Sequence, residues 1–225
     1  MNLRAFCLLS VFIPVCCVTQ NHKTIRYIAL GDSYTICEGG TQEESWPLIL
    51  AKEMSDKEAT VELIANPSVT GYTTQDLIEQ ELQVCLKSKS DFVTLLIGVN
   101  DWVQGVPLEI FHKRFNYIID TVQAMLPNKK NLILITIPDF GVTPTGALYG
   151  RGRNITEGIK QFNEVITEEA AKRNLEVVNI FPETQKMTTQ NGLIAKDGLH
   201  PSAKEYALWE KLIKPVAEKV LKMKN

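Results

Sequence analysis

Beyond its first twenty residues the chain alternates, five times over, between a short apolar run and a helix-like stretch, and this order limits the fold more than any other feature. Ile25–Leu30 reads as the first strand and Trp46–Met54 as a helix. Val61–Ala65 follows as the second strand, then Thr74–Leu86, where Leu77, Ile78, Leu82 and Leu86 recur at a helical period. Phe92–Ile97 is a continuous β-rich run of the kind buried in parallel sheets, and Pro107 suits the first turn of a long helix reaching Met125. Leu132–Ile137 is the fourth strand. Asn154, with Glu157 three residues on, resembles a capping box and opens a helix to about Arg173. Leu175–Ile180 and a final helix over Ser202–Lys222 complete the series. Strands alternating with helices predict an α/β layered fold around a five-stranded, mostly parallel sheet. The 225 residues fit one domain, and residues 21–225 contain no repeat or linker.

The first twenty residues have a different plan. MNLR carries one charged side chain, fourteen uncharged residues follow (AFCLLSVFIPVCCV), and TQNHK restores polarity. That run is too short to span a bilayer comfortably and has the layout of a secretory signal over residues 1–20. As a buried strand or helix it would leave Arg4 and Pro14 awkwardly placed. The expectation is export to the periplasm or cell surface. Cys16 and Cys17, closing the run, suggest the lipid-bearing cysteine of a bacterial lipoprotein and hence a membrane attachment, although the residues before them fit the usual small-residue pattern poorly.

Composition narrows the function by exclusion. Hydrophobic content of 44%, charged content of 22% and a net charge of −2 make no electrostatic case for binding nucleic acid. Three of the five cysteines lie in the leader; Cys37 and Cys85 remain, for which an oxidising compartment permits a bridge. No CxxC pair or His/Cys cluster at zinc spacing exists, so no metal is expected. Gly150-Arg151-Gly152 does not complete a phosphate loop, so no nucleotide or flavin cofactor is expected either.

In parallel α/β sheets the loops at the carboxyl ends of the strands collect functional groups. Here that edge receives LGDSY, ANPSVTGYTT, IGVNDW, IPDFGVTP and the long stretch ending DGLHPS. Ser33 sits where the first strand hands over to a turn, as a helix cap or as a nucleophile; the second role needs a base. Of the three histidines, His22 borders the leader and His112 lies in a helix beside Phe111 and Phe115, where a partly buried or surface role is expected. His200 remains, three residues after Asp197. That spacing lets the carboxylate hold Nδ1–H while Nε2 takes the serine proton; the competing reading is an ordinary Asp-Gly turn with an exposed histidine. Donors for an oxyanion are available in the Ser33 amide, the Gly71 amide and the Asn100 side chain, the last two equally readable as a loop glycine and a turn former.

LGDSYT, a glycine after the second strand, GVND and DGLHPS resemble, in that order, the four blocks of the SGNH (GDSL-type) hydrolases, and the likeness runs from about Ile25 to the final helix. It implies a flavodoxin-like three-layer α/β/α sandwich. Residue by residue it implies Ser33 as nucleophile and oxyanion donor, Gly71 and Asn100 as further donors, and Asp197 and His200 as the rest of a triad. GDSYT…EESWP and IPDFGVTP are similar to bacterial lysophospholipase-like esterases. Cys37 departs from the pattern, standing where similar sequences more often carry glycine. The absence of G-x-S-x-G argues against an α/β-hydrolase fold.

The expected activity is two-step hydrolysis of a carboxylic ester through an acyl-enzyme, with a neutral histidine as base. An acyl-chain esterase or lysophospholipase and a carbohydrate O-deacetylase both fit the residues; a surface-binding protein without turnover is the rival from another class. Trp46, Tyr72, Trp102 and Tyr149 are candidates to line an apolar acyl or sugar site, each equally readable as loop packing. Arg151 and Arg153 are candidates for meeting an anionic group, against a bland role in surface solvation.

Overall fold

Tyr27, Ile28, Ala29 and Leu30 are completely buried, which places the first strand inside the sheet, with helices over both of its faces. The computed structural model describes residues 22–223, so the expected leader over residues 1–20 lies outside the described residues. Five strands, β1 (Lys23–Gly31), β2 (Ala59–Ala65), β3 (Phe92–Leu96), β4 (Leu132–Ile135) and β5 (Glu176–Val178), pair in the order β2-β1-β3-β4-β5. Every pairing is parallel. The sheet is thus wholly rather than mostly parallel, because each connection carries a helix that returns the chain to the same starting edge.

The helices are α1 (Ser33–Ile36), α2 (Trp46–Glu53), α3 (Thr74–Asp76), α4 (Leu82–Lys87), α5 (Val99–Gln104), α6 (Leu108–Met125), α7 (Ile155–Arg173), α8 (Phe181–Thr184) and α9 (Ala203–Leu221). Helices α2 and α9 pack together, while α4, α6 and α7 pack in series on the other side of the sheet. The result is an α/β/α sandwich whose strand order reverses between β1 and β3. Reversal opens a crevice at their carboxyl ends, where doubly wound sheets bind ligands.

Four local departures from the sequence reading have physical causes. The single helix expected over Thr74–Leu86 is broken by a π-helical turn, Leu77–Glu81, between α3 and α4. It accompanies an inward Glu81 side chain, whose Oε2 accepts the Gly31 amide at 3.0 Å. Helix α5 was not foreseen in IGVNDW; Gly98, at φ +124°, turns the chain into it, and a Cβ there would sit 2.6 Å from Phe111. Strand β4 ends two residues early because Asn163 of α7 takes over the Ile137 backbone, accepting its N–H at 2.7 Å and donating to its C=O at 2.9 Å. Pro107 lies just outside the helix whose first turn it was expected to occupy, capping α6, while Ser202 caps α9 by accepting the Glu205 amide. Asn154 caps α7 as expected, with its side chain accepting from Glu157 N at 3.1 Å.

Candidate active site

Strand β1 ends at Gly31, where a Cβ would fall 2.3 Å from the Leu96 carbonyl, so the chain passes close to β3 just before it turns. Asp32 then caps α1, its Oδ1 accepting the Tyr34 amide at 3.1 Å. Ser33 is the first residue of that helix, and its own N–H has no intrahelical partner. Asp32 is fully buried, and its Oδ2 has no hydrogen-bond partner. Burial, reinforced by the nearby Asp101 carboxylate, pushes its pKa up to about 8 against the pull of the Tyr34 amide. Burial thus favours the protonated form of the residue beside Ser33.

Two loops bring donors toward Ser33. Gly71 takes φ +91°, nothing lies within 4 Å of where its side chain would be, and the residue borders the same space as Ser33. Asn100, in the first turn of α5, donates one side-chain hydrogen to the Tyr72 carbonyl at 2.9 Å, which fixes the amide and leaves its second hydrogen free. Asp101 ties these loops together. Fully buried, it accepts the Thr74 amide at 2.8 Å and the Thr74 hydroxyl at 2.5 Å.

His200 approaches from the loop before α9. Its Nδ1 meets Asp197 Oδ2 at 2.6 Å, while Asp197 Oδ1 accepts the backbone amides of Leu199 and His200 at 2.9 and 3.0 Å. Partial burial raises the Asp197 pKa, but these hydrogen bonds outweigh it and hold the carboxyl below its ordinary value. Gly198, at φ +71°, makes the turn possible. Thr145 clasps this turn from the loop after β4, its N–H reaching the Gly198 carbonyl at 2.9 Å and its hydroxyl the Asp197 carbonyl at 3.0 Å.

Ser33, Gly71, Asn100 and His200 line one cavity of ≈ 260 Å³, whose other wall is apolar: Val99, Val103, Phe140, Tyr149 and Leu199. Asp197 stands behind His200. No direct hydrogen bond joins Ser33 to His200 in this resting arrangement, as is common before substrate binds. The space is thus lined by a hydroxyl, an imidazole paired with a carboxylate, and two residues that carry N–H groups, Gly71 and Asn100.

Of the four aromatic candidates, Tyr149 lines the cavity. Trp46 is fully buried and donates to the Tyr34 carbonyl at 2.9 Å, so it props up α1 and cannot touch a substrate. Trp102 is buried behind Phe140, and Tyr72 contributes its carbonyl to Asn100. Arg153 stacks on Trp102 and donates to the carbonyls of Trp102 and Val103, so it caps the end of α5 rather than meeting an anion; Arg151 is exposed and lines no part of the cavity. His22 bonds Thr60 at the opposite edge of the sheet, and His112 pairs with Glu169 on α7. Cys37 and Cys85 are buried free thiols, with pKa values pushed up to about 12 by burial. Cys37 has φ +69°, a left-handed conformation that favours glycine, and its sulfur accepts the Trp46 amide at 3.3 Å.

Residues 29–208 match the family described as GDSL-like lipase/acylhydrolase. A multidomain esterase of Ruminococcus flavefaciens is 29% identical over 120 residues; the match takes in 53% of this chain and spans 14% of that relative's length. Among solved structures, the lipase/acylhydrolase of Enterococcus faecalis superposes with a TM-score of 0.68 at 24% identity, covering 89% of this chain and 97% of that one. An acetylxylan esterase of Geobacillus stearothermophilus gives 0.66 at 17% identity, covering 92% and 98%. At these identities the superpositions speak to the fold.

Proposed function

The chain belongs to the GDSL-like lipase/acylhydrolase family, a family of esterases and acylhydrolases, and from that premise we propose that it is a serine carboxylic ester hydrolase acting through Ser33, His200 and Asp197. The observation that carries this is the Asp197–His200 pair facing Ser33 across a cavity bordered by Gly71 and Asn100. His200 Nε2 takes the Ser33 proton as Oγ bonds to the acyl carbon. The carbonyl electron pair moves onto oxygen, where the N–H groups of Ser33, Gly71 and Asn100 receive it. His200 then protonates the departing alcohol. Water, deprotonated by the same nitrogen, attacks the acyl-enzyme and releases the acid.

Cavity size supports a short acyl group. The ≈ 260 Å³ space between Val103, Phe140 and Tyr149 is shared by the acyl part and the reacting centre. This favours an acetyl- or short-chain esterase of the O-deacetylase kind over a lysophospholipase with a long chain. The leader over residues 1–20 supports export as the setting.

The test is labelling with a serine-directed fluorophosphonate, together with a p-nitrophenyl ester series from acetyl to dodecanoyl. Native protein is labelled at Ser33 and prefers the shortest esters; Ser33→Ala takes no label and loses turnover. Undiminished turnover in Ser33→Ala overturns the mechanism. A rate rising toward dodecanoyl overturns the short-acyl reading and restores the lysophospholipase one.

A further inference from the structure

Beside the catalytic cavity lies a second, larger hollow of ≈ 550 Å³, within the range of small-molecule sites. It runs over Glu38, Gly39 and Gly40, and its floor includes Leu63 and Ile64 of the edge strand β2. The two spaces meet at one hydrogen bond: Thr70, which lines the cavity, donates its hydroxyl to Glu38 Oε2, which lines the groove, at 2.6 Å. The Glu38 backbone is fixed on both sides, its N–H bonded to the Ser33 carbonyl at 2.8 Å and its C=O accepting the Tyr206 hydroxyl at 2.9 Å. The groove therefore keeps a set position relative to the nucleophile.

Its place beside the histidine gives it a role. The general acid in ester cleavage is the imidazole that protonates the leaving oxygen, so the alcohol half of the substrate departs on the His200 side. Gly39, a groove residue, packs on the loop that carries His200, where an added Cβ would lie 3.2 Å from the histidine's Cβ and 3.0 Å from the Pro201 carbonyl, so the groove borders the base of that loop. The apolar wall of Val103, Phe140 and Tyr149 on the cavity suits the acyl half and leaves the Thr70–Glu38 rim for the alcohol. We propose that this groove is the subsite for the alcohol half of the ester, and that it takes a neutral, hydroxyl-rich alcohol such as a sugar residue rather than a phosphorylated one.

Charge and surface chemistry decide the class. The groove carries one charged side chain, the Glu38 carboxylate, and no lysine, arginine or histidine. A phosphate entering it meets a like charge with no cation to offset it. Sugar hydroxyls meet the free oxygen of Glu38, the Gln42 amide and the Ser45 hydroxyl, and a ring's C–H face can rest on Leu63 and Ile64. The inference rests on the serine-esterase reading above.

Three acetyl esters that differ only in their alcohol test it: ethyl acetate, an O-acetylated methyl xyloside and acetylated glycerol phosphate. Native protein should show a kcat/KM for the xyloside at least tenfold above that for ethyl acetate, with the phosphate ester lowest. Gly40 has ordinary φ, and its nearest neighbour would lie 3.6 Å from an added Cβ, so Gly40→Phe places a ring in the groove without backbone strain. It should cut the xyloside-to-ethyl ratio at least tenfold, mainly through KM. Gln42→Ala, which removes an exposed side chain, should cut it several-fold and serves if Gly40→Phe fails to fold. Glu38→Gln should raise the phosphate ester relative to the xyloside. Turnover of ethyl acetate with an unmoved ratio in the variants, or a native preference for the phosphate ester, overturns the subsite alone. No turnover of any acetate and no label at Ser33 overturns the esterase reading, and the subsite with it.

Discussion

Asp32 offers the sharpest test of the electrostatics around the nucleophile. Its carboxyl is fully buried, and its pKa rises from 3.8 to about 8 on folding. A folded value above the unfolded one means that the native state holds a proton which the unfolded chain releases. The stabilisation is complete below about pH 3.8 and is lost as pH rises, until the folded value near 8 is passed. Between pH 5 and pH 8 this amounts to three units at 1.36 kcal/mol each, or about 4 kcal/mol of stability withdrawn by one side chain. Asp32→Asn keeps the oxygen that accepts the Tyr34 amide and removes the proton. Urea unfolding of both proteins across that range should give a native curve that falls by about 4 kcal/mol more than the variant's. The same ionisation would set a negative charge beside the developing oxyanion, so native turnover should fall above about pH 8 while that of Asp32→Asn does not. Parallel stability curves from pH 5 to 8 would refute the assignment of a neutral acid beside Ser33.

Three other substitutions probe how the site is held. Asp197→Asn leaves the turn but loses the carboxylate that orients His200, and kcat should drop at least a hundredfold in an ester assay while circular dichroism stays native. Thr145→Ala removes one hydrogen bond of about 1 kcal/mol from the Asp197 turn; kcat should fall roughly fivefold with little change in KM, and Thr145→Ser should restore it. Gly158→Ala would place a methyl 1.9 Å from the Trp102 indole nitrogen, forcing the ring that backs Phe140 to move. Thermal denaturation should register about 1–3 kcal/mol of destabilisation.

The strands, the five-membered sheet and the sandwich were legible because hydrophobic period and order are local properties of the chain. Ser33, Asp197 and His200 could be singled out because few residue types can do their chemistry and only three histidines were available. The supports were not legible. Thr145 and Asp197, Asp101 and Thr74, and Glu81 and Gly31 meet through folding over long separations, and nothing in their local sequence marks the partner. Aromatic residues misled for a related reason. Trp46, opening a helix next to a polar loop, and Tyr149, within one, look alike in sequence, and only packing buries the first at 0% exposure while leaving the second at the rim of the cavity. Cys37 was visible as a departure from the family's pattern; that it stands in a left-handed conformation became visible only in the backbone.

The strand order has a consequence for the timing of activity. Ser33 follows the inner strand β1, near the start of the chain, whereas His200 arrives just before the last helix, after every strand has been made. A ribosome therefore exposes the proposed nucleophile long before its proposed base, and a chain cut short anywhere before DGLHPS carries Ser33 without His200. Helix α9, which packs against α2 and β5, then closes the sheet's other face in the same stretch of synthesis. On the proposed mechanism, hydrolysis and completion of the fold begin together.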